Sequence, residues 1–359
     1  MTQKLKHICK VFGIESPIKS IETLHSGHIN DTFLVTHKND ERFIIQKLNS
    51  KVFKNIESVI FNKILVTNVL RDNYKKKNLP YQAITYLKTT QNKYLHQEAD
   101  SYWNVMEFIP NTKTLEKTEI PEIAFEAGKL YGDFIINTES ILPESVTETL
   151  KNFHDVPFRF TQFEDALKIA KPYRLELAND LIAFAQKHKK TMCTLAYLRA
   201  ENRFPIRVTH NDAKLSNILF DNNNKGKAVI DLDTIMPGLI HYDFGDSVRS
   251  ICTKSTEDET DLSKIYIDLE LYEAYCSGFA LKTKSILKPE EIEYLPLGIQ
   301  TIIFIMGLRF LTDFLNNDTY YKTTHANHNL DRAINQFTLL ASVFDNLKAI
   351  ERITKQHFT

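Results

Sequence analysis

The chain has 359 residues, of which 45 are basic, 45 acidic and 43% hydrophobic. A formal net charge of zero speaks against broad electrostatic binding of nucleic acid or of an anionic membrane surface. The length suits two domains or one large bilobal unit.

The opening stretch MTQKLKHICKVFGI has no apolar core of secretory-signal length. The strands begin after it: IKSIETLH and DTFLVTHK flank the turn SGHIN, and ERFIIQKLN follows the turn KNDE. The next segment, NIESVIFNKILVTNVLRDNYKKK, reads as a long helix. Lys63 aside, its apolar residues Val59, Ile60, Ile64, Val66 and Leu70 fall at helical spacing. After Pro80 come the strand-like runs YQAITYLKTT, YLHQE and YWNVMEFI, for about five strands and one helix in the first ~110 residues.

From Pro110 the pattern turns helical. PEIAFEAGKLYGDFIINT carries Pro at its start, a favoured helix position. RFTQFEDALKIA, ELANDLIAFAQKHKKTMCTLAYLRA, DLSKIYIDLELYEAYCSGFA, PEEIEYLPLGIQTIIFIMGLRFLTDFLNN and NLDRAINQFTLLASVFDNLKAIERIT read as further helices. One interruption, residues 206–234, is loop and strand. The longest apolar run, TIIFIMGL, is closed by Arg309, well short of the ~20 residues that span a bilayer. Cys9, Cys193, Cys252 and Cys276 form no C-x-x-C pair. Reduced thiols and a cytoplasmic location are the expectation. The sequence predicts an α+β chain of bilobal, protein-kinase-like form. A small β-rich N-lobe, residues 1–109, would bind nucleotide, and a larger helical C-lobe, residues 110–359, would hold the catalytic loop.

Within the interruption, HNDAKLSN fits H-x-D-x-x-x-x-N, the catalytic-loop pattern of phosphoryl-transfer enzymes. Asp212 is placed to accept the proton of an attacking hydroxyl, and Lys214 to neutralise charge on the transferred group. Asn217 offers a neutral oxygen to a metal, and His210 braces the loop. ILF and AVI, separated by the turn-rich DNNNKGK, predict a hairpin. Asn217 then stands before its first strand and Asp231 after its second, so the two ends are neighbours. Both suit a Mg²⁺ ion, which takes oxygen donors. Asp233 shares a face with Asp231 if the strand continues, as an alternative or outer ligand.

The letters D-F-G at 243–245 mark a magnesium-holding aspartate in protein kinases. Here no strand leads into Asp243, and Pro237 and Gly238 break the chain before it. The reading is that Asp243 caps the helix FGDSVRSICT and braces the catalytic loop. On the nucleotide side, backbone groups of Glu107 and Phe108 are placed to meet a purine. Gln46 and Lys47 point to opposite faces of their strand, and only one of them faces phosphates. His325 and His328 have no third metal ligand in view and read as a solvated loop.

VTHNDAKLSNILF and AVIDLDTIMPG resemble the aminoglycoside phosphotransferase and choline kinase superfamily. With SGHIND, FHDVPFRF, GLRFLTDFL and HNLDR in the same order, the chain is similar over almost its whole length to the N-acetylhexosamine 1-kinases. That resemblance implies ATP- and Mg²⁺-dependent phosphorylation of the anomeric hydroxyl of GlcNAc or GalNAc. It implies Asp212 as base, Asn217 and Asp231 at the metal, and His28, Asn30 and Arg309 near the sugar. On residues alone, Arg309 has a second reading, a helix-turn ion pair with Asp313. Two rival functions stand beside the sugar kinase. One is a kinase of the same fold acting on another hydroxyl, such as choline, ethanolamine or an aminoglycoside, kept open by the acidic stretch TEDETDLSKIYIDLELYEAY. The other is a non-catalytic nucleotide-binding protein. The partners implied are ATP and a small molecule; a monomer is the default.

Overall fold

The computed structural model describes residues 2–24 and 29–359. Helix α1 (Thr2–Val11) opens the chain, where the sequence reading had no element. Strands β1 (Ile18–Leu24), β2 (Asp31–His37) and β3 (Arg42–Leu48) follow, then helix α2 (Ile56–Lys76), β4 (His96–Glu98) and β5 (Ser101–Glu107). These strands form one antiparallel sheet in the order β1-β2-β3-β5-β4. The run 81–90, expected as a strand, contributes only an isolated bridge between Tyr86 and Met106.

The pleat divides the sheet's side chains between two environments. Phe33, Val35, Ile45, Trp103 and Val105 lie on one face and pack against Leu5, Ile8, Cys9 and Phe12 of the N-terminal segment. Gln46, one residue from Ile45, therefore lies on the other face, toward α2 and the helical part. Lys47, paired across the sheet with Trp103, lies on the face that α1 covers.

After β6 (Thr112–Lys113), the helical part begins with α3 (Pro121–Thr138) and α4 (Val156–Ile169). The single helix expected over 176–200 is divided among α5 (Pro172–Leu177), α6 (Asn179–Met192) and α7 (Thr194–Ala200). The irregular insert supplies β7 (Arg207–Thr209), the hairpin β8 (Ile218–Asp221) and β9 (Gly226–Val229), and β10 (Met236–Gly238). Helices α8 (Ile240–Ile251), α9 (Leu269–Thr283), α10 (Pro289–Glu293), α11 (Leu295–Leu315), α12 (His328–Asp345) and α13 (Leu347–Phe358) complete the chain. The fold is the kinase-like arrangement of a small antiparallel sheet region beside a larger helical part.

The apolar run of α11 does not stop at Arg309: the helix continues to Leu315 and is long and apolar enough to cross a membrane. Its most apolar window is 78% buried inside the protein, against α4, α8 and α12. Helix α8 meets α11 at Gly245 and Gly298; a Cβ on either would lie 2.3 Å from a backbone carbonyl of the other helix. Only glycine permits that approach of α8 to α11. All four cysteines are free and buried.

Candidate active site

The hairpin forms where the turn residues place it. Ile218 pairs with Val229, and the Ile230 N–H donates to the Asn217 carbonyl at 2.9 Å, so Asp231 emerges beside Asn217. Asp231 adopts φ 58°, in the left-handed region that few side chains other than Asp and Asn enter readily. Its carboxylate accepts no hydrogen bond among the described residues. Burial, Asp233 and Asp212 push its pKa up to about 7. A carboxylate so placed is relieved by a cation.

Asp212 lies opposite. Its carboxylate is 3.0 Å from Lys214 Nζ and accepts from Asn217 Nδ2 at 3.1 Å. Burial opposes its charge, but Lys214 and His210 outweigh burial and its pKa is lowered. The same Asn217 amide donates to the Asp212 carbonyl at 2.8 Å, which leaves Asn217 Oδ1 for a metal. His210 bridges the two halves: Nε2 donates to the Ile230 carbonyl at 2.8 Å, and Nδ1 accepts from the Asp212 N–H at 3.3 Å. Asn217 Oδ1 and the Asp231 carboxylate are hard oxygen donors at one edge, the set a Mg²⁺ ion takes.

Asp243 is not at that edge. Its two oxygens accept the backbone N–H groups of His210 and Asn211, each at 2.7 Å, which fixes the loop entering Asp212. Burial raises its pKa to about 6 even against His210 and those two donors. The expected capping role is overturned: α8 starts at Ile240, before Asp243, and Leu239 at its N-cap makes no side-chain cap. From the same helix Ser247 donates to the Ala213 carbonyl at 2.7 Å, and Ser250 accepts from the Leu215 N–H at 3.2 Å.

Asp233 turns the other way, into the sheet region. It pairs with Lys63 of α2, accepts from Asn30 Nδ2, and accepts from Gln46 Nε2 at 3.4 Å. Asn30 has its other amide atom engaged as well, accepting from the Asn49 N–H at 2.8 Å. Lys63, passed over in the sequence as an exception within an apolar helix face, is fully buried. Its ammonium also donates to Gln46 Oε1 at 3.2 Å. His28 lies outside the described residues.

The N–H groups of Glu107 and Phe108 are taken by the Thr85 and Arg42 carbonyls at 2.9 and 3.2 Å. Ile109, the next residue, has an N–H with no partner among the described residues.

Arg309 makes no ion pair with Asp313. Asp313 accepts the N–H groups of Thr319, Tyr320 and Tyr321 at 2.8–2.9 Å instead. The Arg309 guanidinium sits among the rings of Phe153, Tyr321 and Tyr320, at 5.5, 5.6 and 5.9 Å from their centroids, with one weak bond to Met306 Sδ at 3.6 Å. Burial opposes its charge, but Tyr321, Tyr320 and Asp212 raise its pKa on balance. Arg159 lies near enough that burial and Arg309 together lower it to about 10. Its hydrogen bonds go to the Phe153 carbonyl and Gln162, not to a carboxylate.

Away from the cleft, His325 and His328 stack on each other, and His328 bonds Asp258 at 2.9 Å. His7, His96 and Glu98 approach one another at the sheet edge, but Lys4 already pairs with Glu98.

The family model for the phosphotransferase enzyme family, APH, matches residues 20–262. Among solved structures, the chain resembles a microcompartment-associated aminopropanol kinase at 14% identity, over 98% of this chain and 99% of that one, with a TM-score of 0.67. It resembles the amicoumacin kinase hAmiN in complex with AMP-PNP, Ca²⁺ and Ami at 12% identity, over 100% and 94%, TM-score 0.59. Choline kinase LicA from Streptococcus pneumoniae matches at 14% identity, over 95% and 99%, TM-score 0.58. At such identities the likeness is one of fold.

Proposed function

We propose that this chain, which belongs to the phosphotransferase enzyme family, transfers the γ-phosphoryl group of ATP to the anomeric hydroxyl of an N-acetylhexosamine such as GlcNAc or GalNAc. Asp212 accepts the proton of that hydroxyl, and Lys214 stands beside it to balance charge on the transferred group. Asn217 Oδ1 and Asp231 hold Mg²⁺, which when bound neutralises charge on the phosphates. Asp233 stands behind them, oriented by Lys63, Asn30 and Gln46. The purine meets the backbone at Glu107–Ile109.

The observation that supports this acceptor is the charge on its side of the cleft. Arg309 and Arg159 stand there without carboxylate partners, Arg309 among three aromatic rings and within electrostatic reach of Asp212. Guanidinium forks suit hydroxyl and carbonyl oxygens, and aromatic faces suit a pyranose ring. A choline-like or amino-alcohol acceptor calls for an acidic and aromatic lining; the rings would suit it, but two guanidiniums without carboxylate partners repel a cation. In the acidic stretch that kept that reading open, three carboxylates are already engaged. Glu257 pairs with Arg249, Asp258 with Arg332 and His328, and Asp268 with Lys254 while capping α9.

The test is ATP consumption with a panel of GlcNAc, GalNAc, glucose, choline, ethanolamine and an aminoglycoside. Turnover with an N-acetylhexosamine, blocked by methylation of the anomeric oxygen, is the expected result. Preference for a cationic acceptor overturns the reading, and nucleotide binding without turnover favours a non-catalytic role.

A further inference from the structure

Kinases of this shape usually present a lysine from the third strand to the nucleotide's phosphates, paired with a glutamate on the following helix. Here the third strand presents Gln46 to the cleft, and Lys47 lies on the covered outer face. We propose that the cation which draws the nucleotide's phosphates is Lys63, supplied by helix α2 in place of strand β3. This rests on the reading of the cleft as a nucleotide site.

Three observations carry it. The Lys63 ammonium lies between Gln46 on the strand and Asp233 on the metal-side loop, joining α2 to both. An ammonium has three donors. Two are used here, by Gln46 and Asp233, and the Tyr86 ring centroid lies 5.7 Å from the ammonium. Next, Asn104 is the cross-strand partner of Gln46 on the same sheet face. It is fully buried, and neither end of its amide has a partner among the described residues. A buried amide left bare across the sheet from the residue that holds a buried ammonium marks a place where a polar ligand is missing. Finally, the carboxylates gathered here, Asp212, Asp231 and Asp233, are faced by the ammoniums of Lys63 and Lys214 and, farther off, by Arg249, which Asp246 and Glu257 already engage. Lys214 is committed to Asp212 at 3.0 Å. Lys63 is then the cation on the sheet side of the cleft, and in a water-poor site its field on a phosphate is strong. A contact that only held the lobes together would not need a buried ion, which costs several kcal/mol to desolvate.

The experiment measures binding of ADP and of adenosine by titration calorimetry in EDTA, so that neither an acceptor nor a metal enters the result. Lys63→Gln is expected to weaken ADP about tenfold or more, the range of a hydrogen bond to a charged group, while adenosine affinity stays within about twofold. Moving the ammonium back to the strand, in Gln46→Lys/Lys63→Gln, is expected to restore most of the ADP affinity. A folded Lys63→Gln protein that binds ADP as wild type does, or loses ADP and adenosine equally, overturns the proposal. Should Lys63→Gln not fold, Lys63→Met/Asp233→Asn strands no charge and is read by the same ADP-to-adenosine ratio, with the same overturning result. Wild-type protein that binds neither probe removes the nucleotide reading itself. Wild-type binding with Lys63 indifferent removes this inference alone.

Discussion

Replacing Arg309 by lysine separates a substrate-binding guanidinium from a structural one. Had Arg309 been held by Asp313, lysine would serve nearly as well, since such a helix pair contributes only ~0.3–0.5 kcal/mol. That pair does not form: Asp313 is occupied by three backbone N–H groups of the following turn and by Asn329 Nδ2 at 2.9 Å. The guanidinium instead has aromatic neighbours and a thioether, so most of its N–H groups remain for a ligand. Lysine keeps the charge but loses the planar fork. Losing two hydrogen bonds to neutral sugar oxygens, at about 1 kcal/mol each, amounts to ~2 kcal/mol or ~30-fold in kcat/KM. The stability cost is smaller, because lysine retains part of the cation–π attraction to the surrounding rings. The assay is kcat/KM for the sugar at saturating ATP and Mg²⁺, with urea unfolding of the same preparation. Near-normal kinetics in a stable Arg309→Lys protein would return Arg309 to the scaffold and remove the main support for an oxygen-rich acceptor.

Asp212→Asn should lower kcat by about 10²–10⁴-fold with ADP affinity kept; a variant retaining more than about a tenth of wild-type kcat would take Asp212 out of the role of base. Asp231→Asn should raise the Mg²⁺ concentration required for activity by about tenfold or more, whereas Asp243→Asn should leave that requirement unchanged. Asp243→Asn orphans one of the His210 and Asn211 N–H groups, a cost of about 1–3 kcal/mol offset in part by relief of a buried charge; the reverse pattern in Mg²⁺ titrations would restore Asp243 as the ligand. Because burial and neighbouring carboxylates hold Asp231 at about 7, its ionised, ligating form is the major one above that pH and is lost as pH falls through it. Apparent Mg²⁺ affinity should therefore fall by up to about tenfold per unit below pH 7. Asp231→Asn should flatten that slope, and a wild-type affinity constant from pH 8 to 5.5 would contradict the assignment.

The parts of this molecule legible in the sequence are those whose causes are local. The hairpin that brings Asn217 to Asp231 needs only two apolar runs and a turn between them, and its ends meet by the geometry of pairing. Helix α2 announces itself by its apolar spacing, and the loop from His210 to Asn217 by its residue types. What depends on partners distant in the chain was not legible. Alternation shows that Gln46 and Lys47 point oppositely, but which one faces the cleft depends on α1 covering the other face. Gln46 then meets Asp233, 187 residues away. Lys63 breaks the apolar stripe of α2, and that break was the one visible sign of it. Its meaning comes from a carboxylate delivered by another part of the chain. Arg309 and Asp313 have the spacing of an ion pair, yet the turn after α11 brings its own N–H groups to Asp313. Residues 81–90 have strand composition, but composition supplies no neighbouring strand to pair with, and only Tyr86 finds one. Spacing along the chain determines which elements form, because turns and helices close over a few residues. Which charge meets which, and which donors are left for a ligand, follows from packing that brings distant segments together.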